Sequence, residues 1–276
     1  MTRVAVIQMV SSADVETNLA AAAIQLEQAA RGGATLAVLP ENFAFLGRHD
    51  TDRVKLAEPA GSGPVQDFLA AKAAEHAMWI VAGTIPLKCK DVKRVKSACL
   101  VYDTQGNCVA RYDKVHLFDV EIPGSNESYS ESASTVPGQR ISCVDTSAGR
   151  LGLAVCYDLR FPELFRALLD ESATLIALPA AFTAQTGEAH WDTLVRARAV
   201  ENQVFMLAAA QGGKHENGRT TWGHSMIVDP WGNVLDSIAS GPGIVIADLD
   251  LPQQQEIRRR FPVLTHRRNL NKEIHL

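Results

Sequence analysis

The chain has 276 residues, a formal net charge of −4, 46% hydrophobic and 21% charged residues, ordinary values for a soluble globular protein. This length fits one large domain or two of ordinary size and buries about three quarters of the unfolded surface, so the core needs no disulfide or metal. Basic residues gather only in short clusters such as Arg258-Arg259-Arg260, so nucleic acid is not an expected partner, and no apolar run approaches the ~20 residues that cross a bilayer.

The five cysteines, at 89, 99, 108, 143 and 156, form no CxxC pair. An odd, irregular set argues against a disulfide framework or zinc site and fits a reducing, cytoplasmic setting. Met1 to Gln8 has no long apolar core before a cleavage site, so no signal peptide is expected.

Val4 to Met9 reads as a buried strand. Asp14 to Arg31 reads as a helix, with Leu19, Ala23, Leu26 and Ala30 at steps of three and four and Gly32-Gly33 at its end. Thr35 to Leu39 is a strand stopped by Pro40, Gly63 to Ala77 a helix, and Trp79 to Val81 a strand. Ala98 to Tyr102 and Cys108 to Tyr112 form a hairpin around Asp103 to Asn107. Residues 115 to 139 read as a long irregular stretch, the kind that is usually functional in a compact domain. Ser142 to Asp145 and Leu151 to Val155 form another hairpin. The alternation then resumes with helix Glu163 to Asp170, strand Thr174 to Leu178, helix Ala189 to Gln203 and strand Val204 to Ala209. Ser225 to Val228, Val234 to Ile238 and Gly243 to Asp248 are the last strands, before a tail rich in Arg and His from Phe261. Two β-α-β halves around central hairpins predict an α/β protein with mixed sheets covered by helices.

Cys156 ends the apolar run Leu151-Gly-Leu-Ala-Val155 and precedes a polar turn and a helix. A thiol there is placed as α/β enzymes place a nucleophile, at the carboxyl end of a strand. It is mostly protonated at neutral pH and needs a base or nearby cation. Glu41 lies just past the strand ending at Leu39-Pro40, and Lys114 at the end of the second hairpin strand. A glutamate can take the proton, and a lysine can stabilise the thiolate and an oxyanion. The eight histidines show no HExxH and no clustered ligand spacing, so no metal is expected. Gly61-Ser-Gly63 lacks the Lys-Ser/Thr of a phosphate loop, and Gly223 to Ile227 lacks the final glycine of a serine elbow.

Leu39-Pro-Glu-Asn42, Tyr112-Asp-Lys-Val-His-Leu-Phe-Asp119 and Val155-Cys-Tyr-Asp-Leu-Arg-Phe-Pro-Glu163 together resemble the nitrilase superfamily of carbon-nitrogen hydrolases, in family order and over nearly the whole chain. The resemblance implies one domain over 1-276 with a C-terminal tail from about 261, folded as a four-layer αββα sandwich. It implies a Glu41, Lys114, Cys156 triad with Glu131 from the central loop, and an oxyanion site made by Lys114 and the backbone N–H of Tyr157. It implies no cofactor, and a homodimer or higher homo-oligomer. Phe118 to Gly124, His190-Trp191, Trp222 to Met226 and Asp229-Pro-Trp-Gly232 look like the Nit branch, amidases of deaminated glutathione and of ω-amides of 2-oxo acids. The segment Phe261 to Arg268 favours the first of these. Arg160, Phe182 and Thr186 match substrate-binding positions of the related ω-amidases, with Arg160 suited to a 2-oxo acid carboxylate.

The expectation is thus a thiol amidase acting on a small amide, without nucleic acid or membrane as partner. The alternatives are an ω-amidase or another amide or carbamoyl hydrolase, or a silent scaffold. A structural ion pair of Arg160 with Asp158 or Glu163 also stays open. The loop Gly124 to Ser134 and the segment Gly212 to Arg219 are candidates for shaping the leaving-group end.

Overall fold

The computed structural model describes residues 2–49, 51–124 and 127–268. Two sheets face each other. The first runs in the order Gly243–Leu249, Thr2–Gln8, Leu36–Val38, Trp79–Val81, Val95–Tyr102 and Ile85–Lys88, with Cys108–Asp113 also paired to Val95–Tyr102. The second runs Val234–Ile238, Ser225–Val228, Phe205–Ala210, Leu175–Ala180, Gly149–Leu153 and Cys143–Thr146. In each sheet three central strands are parallel: Leu36–Val38 lies between Thr2–Gln8 and Trp79–Val81, and Leu175–Ala180 between Gly149–Leu153 and Phe205–Ala210.

The residue alternation explains the layers. Val4 and Val6 join Leu36 and Val38 in the core shared with Leu153, Leu175 and Leu207 of the second sheet. Their neighbours Ala5 and Ile7 face the other way, onto Ala22, Leu26 and Ala29 of helix Val15–Arg31 and Leu69 and Ala73 of helix Pro64–His76. Strands covered on both faces read as continuous apolar runs. Helices Pro162–Asp170 and Ala184–Asn202 place Phe165, Leu168, Trp191 and Val195 in the core of the second half. The expected four-layer αββα sandwich is therefore the observed one.

Several elements differ from the sequence reading. Within 115 to 139, Asp119–Glu121 pairs with Ser128–Ser130, and Glu131–Ala133 forms a 3-10 turn. Helix Ala184–Asn202 begins earlier than expected because Thr183 caps it, accepting the Thr186 N–H. Strand Ile85–Lys88 and helices Asp52–Lys55 and Leu251–Arg260 were not expected. The last is strongly polar and has no apolar stripe. Side chains hold it instead: Gln254 donates to the carbonyls of Thr174 and Gln203, and Arg258 to those of Ala173 and Gln203. The expected tail is described only to Arg268. There Phe261 is half exposed beside Trp231, and Arg267 pairs with Asp170 at 2.6 Å. The remainder of the tail, and 125–126 of the loop proposed for the leaving-group end, lie outside the described residues.

Candidate active site

The carboxyl ends of both parallel triplets point to one place. There Met9 and Gln211 form a parallel bridge between the sheets, and the Gly212 N–H donates to the Met9 carbonyl at 2.9 Å. Past Leu36–Val38 the chain turns tightly at Pro40. Gly83, at φ 56°, packs so close that a Cβ there would lie 2.0 Å from the Pro40 oxygen, so only glycine fits. The turn presents Glu41, whose carbonyl accepts from Gln211 Nε2 at 3.0 Å.

Lys114 follows Cys108–Asp113 directly. Its carbonyl accepts the Gly138 N–H at 2.8 Å, and a Cβ on Gly138 would lie 1.9 Å from the Asp113 oxygen. Close packing thus ties the end of the irregular stretch to the lysine backbone. Lys114 Nζ lies 2.8 Å from Glu41 Oε1 and 2.8 Å from Glu131 Oε2. The same Glu131 oxygen accepts the Phe118 N–H at 2.8 Å. Arg53 Nη1 lies 3.9 Å from the other Glu131 oxygen.

Cys156 opens the 3-10 turn Cys156–Arg160 with φ 48°. A left-handed backbone at a residue with a side chain is a strained conformation that concentrates at functional sites. Its Sγ accepts the Ala181 N–H at 3.5 Å, and the Glu41 carboxylate lies close enough for its charge to raise the thiol pKa. Glu41, Lys114, Glu131 and Cys156 are all buried.

Burial alone would raise the Glu41 pKa, but the Lys114 charge and the hydrogen bonds from Lys114 and Cys156 outweigh it and hold it below the ordinary carboxylate value. Burial would strip Lys114 of its proton, but Glu131 and Glu41 reverse this and its pKa lies above the ordinary lysine value. Burial, and then the Glu41 charge, push the Cys156 thiol well above its ordinary value, despite Lys114. The resting set is an anionic Glu41, a cationic Lys114 and a neutral thiol. An ionised carboxylate touching a neutral thiol is a base poised beside its acid.

A cavity of about 480 Å³ opens above these groups. Tyr157, Arg160, Phe182 and Thr186 line it with the triad and Glu131. Among the described residues Arg160 forms no ion pair. It makes no salt bridge with Asp158 or Glu163; its Nη1 lies 3.2 Å from His190 Nδ1 and its guanidinium 5.2 Å from the Phe182 ring centroid. Phe182 is held edge-on by Trp191 at 5.0 Å. Thr186 Oγ1 is 2.8 Å from Thr183 Oγ1. The site therefore brings together every residue that the sequence reading assigned to it.

Two supports, Asp158 and Gln211, were not foreseen, and a further cavity residue, Arg219, comes from the segment Gly212 to Arg219 expected to shape the leaving-group end. Asp158, fully buried, accepts from Tyr112 Oη at 2.7 Å and the Val155 and His116 N–H groups at 2.8 and 3.1 Å. His116 Nδ1 lies 2.6 Å from the same carboxylate, and its ring stacks on Phe161. Gln211 also exchanges hydrogen bonds with Ser11. Arg219 lines the cavity and donates to the Ala181 carbonyl at 2.7 Å. Asp158 could have been suspected, since it lies within the Cys156 motif; Gln211 carries no local signal, whereas Arg219 closes the segment Gly212 to Arg219 that the sequence reading placed near the leaving-group end.

Residues 3–259 match the family model described as carbon-nitrogen hydrolase. The chain belongs to the carbon-nitrogen hydrolase family. A Bos taurus protein named deaminated glutathione amidase is 42% identical over 269 residues, covering 96% of this chain and 81% of that one. A Yersinia enterocolitica protein of the same name is 41% identical over 266 residues, covering 96% of this chain and 92% of its own. The crystal structure of the C. elegans NitFhit protein superposes with a TM-score of 0.90 at 39% identity, covering 97% of this chain and 65% of that one. Membership of the carbon-nitrogen hydrolase family makes the chain an enzyme that cleaves carbon-nitrogen bonds by hydrolysis.

Proposed function

We propose that this hydrolase cleaves the amide bond of deaminated glutathione, giving 2-oxoglutarate and cysteinylglycine, with Cys156 as nucleophile. The relatives of that name, matched over nearly the whole chain, support the substrate. The observation that carries the chemistry is the placement of an anionic Glu41 against Lys114, at 2.8 Å, and beside the Cys156 thiol.

Glu41 takes the thiol proton as Sγ attacks the amide carbonyl carbon. The oxyanion forms between the Lys114 ammonium and the Tyr157 N–H, which stands in the first turn of a helical segment where N–H groups lack intrahelical acceptors. Collapse of this intermediate breaks the C–N bond. Glu41 returns the proton to the leaving nitrogen, and the acyl group stays on Cys156 as a thioester. Glu41 then deprotonates a water molecule that attacks the thioester, releasing the acid and restoring the thiol. Glu131 orients Lys114 throughout. Arg160 receives the 2-oxo acid carboxylate, with Phe182 and Thr186 beside it. No step calls for a metal or organic cofactor. The working form is one catalytic domain with a surface tail, assembled as a cytoplasmic homodimer or larger homo-oligomer, as family resemblance implies.

The test is to incubate the protein with deaminated glutathione and, separately, 2-oxoglutaramate, and follow 2-oxoglutarate. The expected outcome is much higher kcat/KM for deaminated glutathione. Preference for 2-oxoglutaramate would make the enzyme an ω-amidase, and cleavage of unrelated amides alone would remove the assignment to 2-oxo acids.

A further inference from the structure

The proposed substrate is anionic at both ends: the acyl half carries a 2-oxo acid carboxylate, and the leaving half ends in a glycine carboxylate. Two cavity-lining guanidiniums, Arg160 and Arg219, make no salt bridge among the described residues. Arg160 accounts for one end. Arg219 enters the chemistry above only through its charge, which helps to keep Glu41 ionised.

Arg219 is built to stay where it is. Its Nη2 donates to the Ala181 carbonyl at 2.7 Å, and its guanidinium lies 5.0 Å from the Tyr129 ring centroid. The turn that carries it joins the strands Gly212–Lys214 and Thr220–Trp222. That turn is anchored by His215, whose ring nitrogens lie 2.8 Å from the Ser11 carbonyl and 2.8 Å from Thr221 Oγ1, and by Asn217 donating to the Gly47 carbonyl at 2.8 Å. The Arg219 Nε is buried and, among the described residues, has no hydrogen-bond partner. With Nη2 committed to Ala181 and no salt bridge among the described residues, the guanidinium's cavity-facing edge keeps its charge available to a ligand acceptor.

The position fits the substrate's length. Ala181 gives its N–H to Cys156 Sγ and its carbonyl to Arg219, which puts guanidinium and thiol within about 10 Å once the span of one residue is added. From the scissile nitrogen, two extended residues reach roughly 7 Å, leaving room for one hydrogen bond. Beyond Arg219 the site continues into a second cavity of about 310 Å³, lined by Asn42, His49, Arg53 and Asn217 among others and, among the described residues, by no carboxylate.

We infer that Arg219 is a specificity residue that binds the terminal carboxylate of the leaving dipeptide. This rests on the proposed reading of the substrate. It explains how one site prefers a dipeptide leaving group to ammonia: the guanidinium pairs with an acceptor that only the longer substrate supplies.

The experiment measures KM and kcat of the wild type, Arg219→Gln and Arg219→Lys on deaminated glutathione, on its C-terminal amide and on 2-oxoglutaramate. Arg219→Gln should raise KM for deaminated glutathione roughly ten- to a hundredfold more than for 2-oxoglutaramate, the range of a charge-assisted hydrogen bond. Amidating the substrate should cost the wild type a similar factor and cost Arg219→Gln little more. Arg219→Lys, which keeps the charge but loses the planar fork, should fall between. Equal losses on all three substrates would overturn the inference and make Arg219 a structural or electrostatic support. A wild type inactive on deaminated glutathione would instead sink the substrate reading itself.

Discussion

Tyr112 donates its phenolic proton to Asp158 at 2.7 Å. This one contact joins the motif that carries Lys114 to the motif that carries Cys156. Asp158 also holds the Val155 N–H just before the nucleophile and the His116 N–H just after the lysine. A single buried carboxylate thus sets the register between two strand ends from different sheets.

Asp158→Ala should therefore be severe. It leaves Tyr112 Oη and the Val155 N–H without their acceptor inside the protein, and each such group costs about 1–3 kcal/mol. We expect a loss of about 3–5 kcal/mol in urea unfolding, with kcat falling at least about tenfold as the triad loses its spacing. Tyr112→Phe should cost only about 1 kcal/mol. Wild-type stability for Asp158→Ala would refute the hub.

Lys114→Met leaves Glu41 and Glu131 buried without their shared cation. The expected destabilisation is about 3–5 kcal/mol, and kcat should fall about 10²-fold or more as the oxyanion loses a donor. The pH dependence should also change sign. In the wild type the Glu41 pKa is depressed, so its contribution to stability is present above the unfolded carboxylate value and is lost as the pH falls through the folded one. Without Lys114, burial dominates and raises the pKa, so the variant should gain stability on acidification. Urea midpoints between pH 4 and 7 would read this directly.

The acid limb of kcat/KM should lie below the ordinary glutamate value of 4.5, because Glu41 must be ionised to act. Glu41→Gln should abolish turnover, and Cys156→Ser should lower it by ~10³ or more while leaving the unfolding midpoint close to that of the wild type. Retained activity in Cys156→Ser would remove the proposed nucleophile.

Arg160→Lys should raise KM for 2-oxo acid amides about tenfold, and far less for a neutral amide of similar size. Equal changes in both would count against carboxylate recognition by this residue.

Glu41 and Cys156 could be read from the sequence because each stands just past a short apolar run that is largely buried, and Lys114 because it ends the half-exposed second strand of a hairpin whose turn is marked in the sequence. Local patterning failed where tertiary contacts decide the outcome. Asp119–Glu121 and Ser128–Ser130 are too short to show a period. Helix Leu251–Arg260 is held by side-chain bonds to carbonyls rather than by an apolar face. Gln211 reaches the site only because it bridges to Met9 where the two sheets come together, a relationship between distant segments that no spacing encodes.

The upward shift of the Cys156 thiol has a consequence for chemical damage. Peroxide and soft alkylating reagents attack the thiolate, and susceptibility follows thiolate character and exposure. Cys156 is both buried and held neutral at rest. Its proton passes to Glu41 only as the sulfur meets a carbonyl carbon, so the nucleophile is stored in its unreactive form. At rest Cys156 should therefore react with peroxide more slowly than the cysteine of a hydrolase that rests as a thiolate beside a histidine.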